Sequence, residues 1–388
     1  MTTLRVVVDQ MAAPVPGGIG RYTEELTQAL IAAAPANCAV EGIVSSSSEA
    51  DYASIEERLP GLASLYKTTL ARRELSAAWQ LGLSTSPGPG MIHAPGLLAP
   101  LRRHDRVNSG TQVAVTVHDT LVWSHPEAFT ATTVAWTKGM IRRAKKHADA
   151  IVVPSHAVAA QLSEIVDLGD RVRVIGPALS RTFQLPGAGL AGEFAAQLID
   201  ERLGALNLPS EYILTAGTLE PRKGVAAVIA ALGEPGAPDL PLVVLGPDSW
   251  GELNLATVAD EAGLKPGRVQ AFPTLSNEDL ALVMSRASAF VYPSLDEGFG
   301  LPMIQAFQMG TPVIHSDAPA LVETSGDAGF VVERNDADGY PRRLAAALTT
   351  VLGDRELADR LRVYGSDRSR AFSWRDSAER VWQLHADL

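Results

Sequence analysis

Residue types able to handle phosphate and hydroxyl groups gather in a few short stretches of the chain. Pro16-Gly17-Gly18-Ile19-Gly20-Arg21-Tyr22 separates an apolar run from a helical pattern through Leu26, Ala29, Leu30 and Ala33. Glycines there let the backbone approach a ligand, and a helix N-terminus offers free N–H groups and partial positive charge to an anion. Arg21, Tyr22 and Thr23 stand where a dinucleotide fingerprint needs a third small residue, and a tight structural turn is the plainer reading of the glycines. His118-Asp119 ends the apolar run Val113–Val117, and His93 ends the run at Met91-Ile92. Both histidines are therefore expected at carboxyl ends of strands, where open parallel sheets hold their ligands, although a histidine there also serves as a hydrogen-bonded structural residue.

The second half repeats the arrangement. Tyr212–Ala216 runs into Gly217-Thr218-Leu219-Glu220-Pro221-Arg222-Lys223-Gly224 and then a helical stretch. Adjacent cations at such a helix start oppose its dipole unless an anion sits between them, so Arg222 and Lys223 point to a diphosphate cradle. Farther on, Asp296-Glu297-Gly298-Phe299-Gly300-Leu301-Pro302 opens another helix, with Pro302 suited to its first turn. A carboxylate at Glu297 can accept hydrogen bonds from sugar hydroxyls. Taken together, these residues describe phosphates gripped between two sheets, with a histidine from one and a carboxylate from the other.

The elements that must position them alternate short apolar runs with helical patterns, the signature of parallel sheets covered by helices on both faces. Strands are expected at Leu4–Val8, Cys38–Val44, Met91–His93, Val113–Val117 and Ala150–Val153, then at Tyr212–Ala216, Leu242–Leu245, Arg268–Phe272, Ala289–Tyr292 and Pro312–His315. Each series has a glycine turn after its first strand, so the 388 residues parse as two doubly wound α/β domains, 1–185 and 186–370, joined by a linker at Leu185–Gly192. A closing segment, 371–388, carries Ala378, Val381, Trp382 and His385 on one helical face, with Ser373 as its expected N-cap. That stripe needs burial, and the first domain is one place to find it.

Composition narrows the function classes. Hydrophobic residues at 46% and charged residues at 20% describe a folded globular chain, and no run approaches the 18 apolar residues of a spanning helix. The N-terminal residues lack the pattern of a secretory signal, and the single Cys38 rules out an internal disulfide and a multi-cysteine zinc site, so a cytoplasmic protein is expected. The net charge of -11 is uneven: residues 1–185 hold 17 basic and 16 acidic groups, residues 186–388 hold 16 and 28. Basic groups of the first half cluster at Arg72-Arg73, at Arg102, Arg103, His104 and Arg106, and at Lys138, Arg142, Arg143, Lys145 and Lys146. The balance argues against nucleic acid and for an anionic acceptor or a peripheral contact with the inner face of the cell membrane, with solvated helix faces as the simpler reading.

The whole set, Gly17-Gly18-Ile19-Gly20, His118-Asp119, Gly217 to Lys223, Ser294 to Pro302 and Phe372-Ser373-Trp374, resembles the retaining glycosyltransferases of family 4. The phrase Gly-Thr-Leu-Glu-Pro-Arg-Lys is most similar to bacterial mannosyltransferases of surface polysaccharide assembly. The resemblance implies GT-B architecture, with a cleft between two Rossmann-like domains and a closing helix that crosses back to the first. It implies transfer of a hexose, mannose from GDP-mannose as first choice, from a nucleotide-diphosphate sugar to a glycan or lipid-linked acceptor, with retention and with neither metal nor cofactor. It assigns catalytic roles to His118 and Glu297. Gly18, Gly217, Thr218, Arg222, Lys223, Gly298, Phe299, Gly300, Leu301 and Gln305 would bind the donor; Gly17, Arg21, His93 and Asp119 would lie on the acceptor side.

Two departures from the family pattern bear on the donor. Gln305 replaces the second acid of the Glu-x7-Glu motif, so the charge-assisted grip on two ribose hydroxyls is lost and a dTDP- or UDP-sugar becomes an alternative. Thr218 stands where many relatives carry arginine. Asp336-Ala337-Asp338 is a poor metal site, being a polar late loop. A nucleotide-sugar epimerase, a phosphorylase, a dehydrogenase and a catalytically impaired sugar-nucleotide-binding subunit are the rival functions. Glu41 inside a strand disfavours the dehydrogenase.

Overall fold

A computed structural model describes residues 2–83, 88–189, 193–272 and 275–388. The chain forms two compact units, Met1–Ala178 with Ser373–Leu388, and Leu179–Phe372. The first boundary thus precedes the expected one after residue 185, because Phe183 is buried in the core of the second unit and its carbonyl accepts from Gln308 Nε2 at 3.1 Å. Of the expected linker, residues 190–192 lie outside the described residues, as do residues 84–87 of the loop-rich stretch at Gly82–Gly90.

In the first unit β1 (Thr2–Val7), β2 (Cys38–Ser46), β3 (Ser64–Ala71), β4 (Met91–Ala94), β5 (Gln112–Thr116), β6 (Ala150–Val153) and β7 (Val172–Val174) form one parallel sheet. Its order is β3-β2-β1-β4-β5-β6-β7, so the winding reverses between β1 and β4. Such a reversal opens a crevice beyond the carboxyl ends of the strands. Central strands read as continuous apolar runs because helices cover both faces, and all four residues of β6 are buried.

The second unit repeats the plan with β8 (Ile213–Ala216), β9 (Leu242–Leu245), a small antiparallel ribbon β10 (Ser249–Trp250) and β11 (Leu253–Asn254), then β12 (Val269–Phe272), β13 (Ala289–Tyr292), β14 (Val313–Ser316) and β15 (Phe330–Val332). The main sheet runs β12-β9-β8-β13-β14-β15, reversing between β8 and β13. One apolar layer joins Ile213, Val228, Val244 and Leu344; the other joins Tyr212, Phe290, Met303 and Phe307.

The closing helix, Trp374–Asp387, packs on the first unit as its stripe predicts, with Ala378, Val381, Trp382 and His385 all buried. Burying Val381 and Trp382 contributes about 1.5–3 kcal/mol each, and Trp382 Nε1 donates to the Leu30 carbonyl at 3.1 Å. Ser377 Oγ donates to the Gly176 carbonyl at 2.7 Å. Ser373 occupies the N-cap position, but among the described residues its side chain makes no capping hydrogen bond; its carbonyl accepts from Ser377.

Candidate active site

The two glycine loops stand where the topology places a crevice. In the first unit, the helix Gly17–Ala32 starts beyond β1, with Gly17 at φ +61°. A Cβ built at Gly17 or Gly18 would meet nothing within 4 Å among the described residues, whereas at Gly20 it would come within 2.4 Å of Pro16 Cβ. Gly20 is therefore required by packing, and Gly17 and Gly18 leave open backbone for a ligand. The loop is braced from below: buried Asp9 accepts from Ser45 N at 2.9 Å and pairs with Arg72 at 2.6 Å, and Arg72 also binds Gln10, whose Nε2 donates to Pro16 O at 3.0 Å. Of the Arg72-Arg73 pair, Arg72 is thus a structural residue.

His118 lies just past β5, half-buried, with Nε2 2.7 Å from the Pro95 carbonyl. Burial lowers its pKa, against the opposing pull of Pro95 and Asp119. A carbonyl only accepts, so Nε2 carries the proton, and the neutral ring presents Nδ1 as an acceptor. Tyr22 packs edge-on against His118 with ring centroids 4.7 Å apart, and against Trp374 at 5.5 Å. Beside these residues is a cavity of about 270 Å³ lined by Ile19, Leu97, His118, Phe129 and Trp136 among others. Asp119 lines it too, though one of its oxygens accepts from Leu121 N at 3.0 Å. Arg21 is exposed on the glycine-loop helix.

His93 departs from the expectation of an acceptor-side residue. It is fully buried, its Nδ1 3.4 Å from His385 Nε2 of the closing helix. The strand end it occupies is covered, and burial together with His385 pushes its pKa down to about 3. A residue so enclosed serves the docking of the helix, not a substrate.

In the second unit, the loop after β8 turns at Gly217, φ +145°, and Thr218 Oγ1 accepts from Glu220 N at 3.2 Å. Pro221–Lys223 forms a single 3-10 turn, and Gly224, φ +67°, starts the helix Val225–Leu232. A Cβ at Gly224 would lie 2.4 Å from the Pro293 carbonyl, so this glycine lets the loops after β8 and β13 touch. Their contact is sealed by Leu295 N donating to Arg222 O at 2.8 Å.

That contact brings Glu297 to Lys223. Lys223 Nζ donates to Glu297 Oε1 at 2.5 Å and Ser294 Oγ to the same oxygen at 2.8 Å. Burial opposes ionisation of Glu297, but Lys223, Arg222 and Ser294 prevail and hold its pKa below the ordinary value. Lys223 bears three donors, so one is committed to Glu297 and others remain for an anion. Arg222 differs from its expected role as a free phosphate fork. It is buried, with Nε and Nη2 on Glu220 at 2.9 and 3.1 Å and Nη1 on the Asp296 carbonyl at 3.2 Å. Arg222 positions the Glu297 loop.

The rest of that loop is rigid by packing. Phe299 meets Phe372 edge-on at 5.4 Å, and Gly300, φ +101°, precedes the helix Leu301–Gln308 where a Cβ would strike Leu321 at 2.6 Å. Gly298 continues the loop from Glu297. Gln305 sits one turn beyond Leu301, half-buried, its side chain without a hydrogen-bond partner among the described residues. Sequence reasoning missed Tyr22, Ser294 and Glu220 as supports, although Ser294 stands three residues before Glu297 and Glu220 two before Arg222.

Comparison with known proteins decides the family. Residues 16–181 match the family model described as Glycosyltransferase Family 4, and residues 200–368 that described as Glycosyl transferases group 1. The chain belongs to these glycosyltransferases. Its relatives include the O-antigen chain mannosyltransferase B of Escherichia coli, 33% identical over 42% of each chain. The serotype-specific mannosyltransferase WbdA of Escherichia coli is 29% identical over 60% of this chain but 28% of its own length. This glycosyltransferase thus matches less than half of either relative. Among solved structures, Anabaena HepE in complex with UDP and glucose superposes over 100% of both chains with a TM-score of 0.72 at 15% identity. The fold of the glycosyltransferase is accordingly GT-B.

Proposed function

We propose that this glycosyltransferase moves a hexose, mannose from GDP-mannose as first choice, to a glycan or lipid-linked acceptor with retention and without a metal ion. The observation that carries the reading is the Lys223–Glu297–Ser294 cluster, a cation and a carboxylate held together where the loops after β8 and β13 meet, at the sheet reversal. The mannosyltransferase names of its relatives support the sugar. The reading keeps the reaction cytoplasmic, with membrane contact peripheral.

In this reading Lys223 and the backbone N–H groups of the loop take the donor diphosphate, and Glu297 accepts from hydroxyls of the hexose. The bond between the anomeric carbon and the β-phosphate oxygen breaks with its electrons going to the phosphate. Lys223 offsets that growing charge, acting where the transition state differs most from the ground state. The acceptor oxygen bonds to the anomeric carbon on the same face, and its proton passes to the departing phosphate. The cavity beside neutral His118 serves the acceptor.

Incubating the purified chain with GDP-mannose, UDP-glucose or a dTDP-hexose and a glycan or lipid-linked acceptor, with and without EDTA, tests each part. An α-mannosyl product from GDP-mannose that survives EDTA is expected. Selective use of the dTDP-sugar is the second reading, favoured by the amide of Gln305, unpaired among the described residues, since deoxyribose offers one hydroxyl fewer. No transfer, with no nucleotide raising the melting temperature, leaves a catalytically impaired subunit and ends the proposal.

A further inference from the structure

The first unit has a second polar depression, of about 610 Å³, within the roughly 300–1,000 Å³ range of ligand pockets. Its walls come from the residues just before β5, β6 and β7, at the amino ends of the strands. His118 and the Gly17 loop follow β5 and β1, so this depression occupies the opposite edge of the same sheet. The donor and acceptor reading leaves it without a role.

Its lining is cationic in a chain of net charge -11. Arg102, Arg103, Arg106 and Lys146 all line it without a side-chain hydrogen bond among the described residues, and Arg106 acts on Asp149 from beyond ion-pair distance. Of the acidic lining, Asp149 is already satisfied, its Oδ2 bound by His104 Nε2 at 2.8 Å and by Val113 N at 2.8 Å. With Asp170 and Asp387 it makes three acidic side chains against six of lysine and arginine, so the balance of the lining stays positive. Arg171 is spent on the carbonyls of Ala148 at 2.8 Å and Leu168 at 3.0 Å, which fixes the floor. Like charges gathered around a concave surface repel one another unless an anion lies among them, and guanidinium groups match phosphate oxygens in geometry as well as charge.

We propose that this depression is a second anion site, binding a ligand with a diphosphate or closely spaced phosphate groups through Arg102, Arg103, Arg106 and Lys146. The phosphate can arrive on a soluble molecule or on a lipid headgroup, and the chemistry of capture is the same. Contacts of this kind weaken steeply with salt.

The test uses the full chain and a triple variant, Arg103→Ala with Arg106→Ala and Lys146→Ala, all exposed positions outside the site around Lys223. Hydrogen exchange is followed by segment with inorganic pyrophosphate, which separates this site from any binding at Lys223. Protection over residues 101–112 and 142–150 is expected in the wild type at low salt, with at least a tenfold weaker response in the variant. Absence of protection there, or equal protection in both chains, overturns the site. Sedimentation with phosphatidylglycerol and phosphatidylcholine vesicles then names the source. Anionic-vesicle binding that pyrophosphate displaces and the variant lacks identifies a lipid phosphate; pyrophosphate binding alone identifies a soluble one.

Discussion

Lys223 and Glu297, 74 residues apart, meet at 2.5 Å because Gly224 lets the loop after β8 touch the loop after β13. The pair is mostly withdrawn from solvent, so each charge depends on the other. Lys223→Met leaves the carboxylate facing Ser294, Tyr292 and the more distant Arg222. A loss of about 2–4 kcal/mol is expected, with nucleoside diphosphate binding weakened at least tenfold. Adding Glu297→Gln should recover most of the stability but none of the binding. Denaturant titration and calorimetry on the four chains of that cycle decide it, and strictly additive losses in stability would refute the coupling.

The buried pair His93–His385 makes stability depend on acid. Burial, then His385, holds His93 at about 3, and burial holds His385 at about 4 in spite of Asp149. The unfolded chain takes up these protons near pH 6.5 while the folded chain refuses them. Stability is therefore full above that pH and falls below it, by about 1–1.5 kcal/mol per imidazole at pH 5.5. In melts between pH 7 and 5, His385→Gln should show a shallower decline than the wild type. Parallel profiles would mean that the pair does not contribute.

Glycines near the site separate by what a side chain would meet. Gly224→Ala puts a Cβ against the Pro293 carbonyl at positive φ, and a cost of at least about 2 kcal/mol is expected, with Lys223 displaced. Gly18→Ala meets open space inside a helix, so stability should hold within about 0.5 kcal/mol or rise. If substrate approaches that backbone, the Gly18 variant nevertheless loses transfer at least tenfold. A stable Gly18→Ala chain with full activity would make the loop purely structural.

The central strands were legible because burial on both faces writes them as apolar runs, as in Ala150–Val153 and Ala289–Tyr292. Of the five strands that sequence reasoning missed, β3, β7 and β15 lie at sheet edges, and β10 and β11 form the small ribbon of two residues each. β3 is mostly exposed, with Tyr66 and Lys67 in succession breaking its alternation, and β7 is three residues with Arg173 at its centre. At the site, Lys223 and Glu297 could be read from local phrases, but the fate of a long cation could not. Arg222 turns inward to Glu220, two residues away, and His93 is covered by a helix almost 300 positions later. The cover over His93 leaves no trace in local spacing, and the Glu-Pro-Arg phrase does not say which way the guanidinium turns.

Gln305 yields the sharpest statement about the donor. It lies on the helix Leu301–Gln308 opposite the buried Met303 and Phe307, one turn beyond Leu301 and unpaired among the described residues. An amide gives and accepts neutral hydrogen bonds, whereas a carboxylate accepts two charge-assisted bonds from adjacent ribose hydroxyls. Gln305→Glu should therefore raise affinity for GDP and UDP by about tenfold, worth about 1.4 kcal/mol, and leave dTDP unchanged or weaker. Calorimetric titration of both chains with all three nucleotides measures the difference. A uniform change across the three would show that residue 305 does not reach the sugar of the nucleotide.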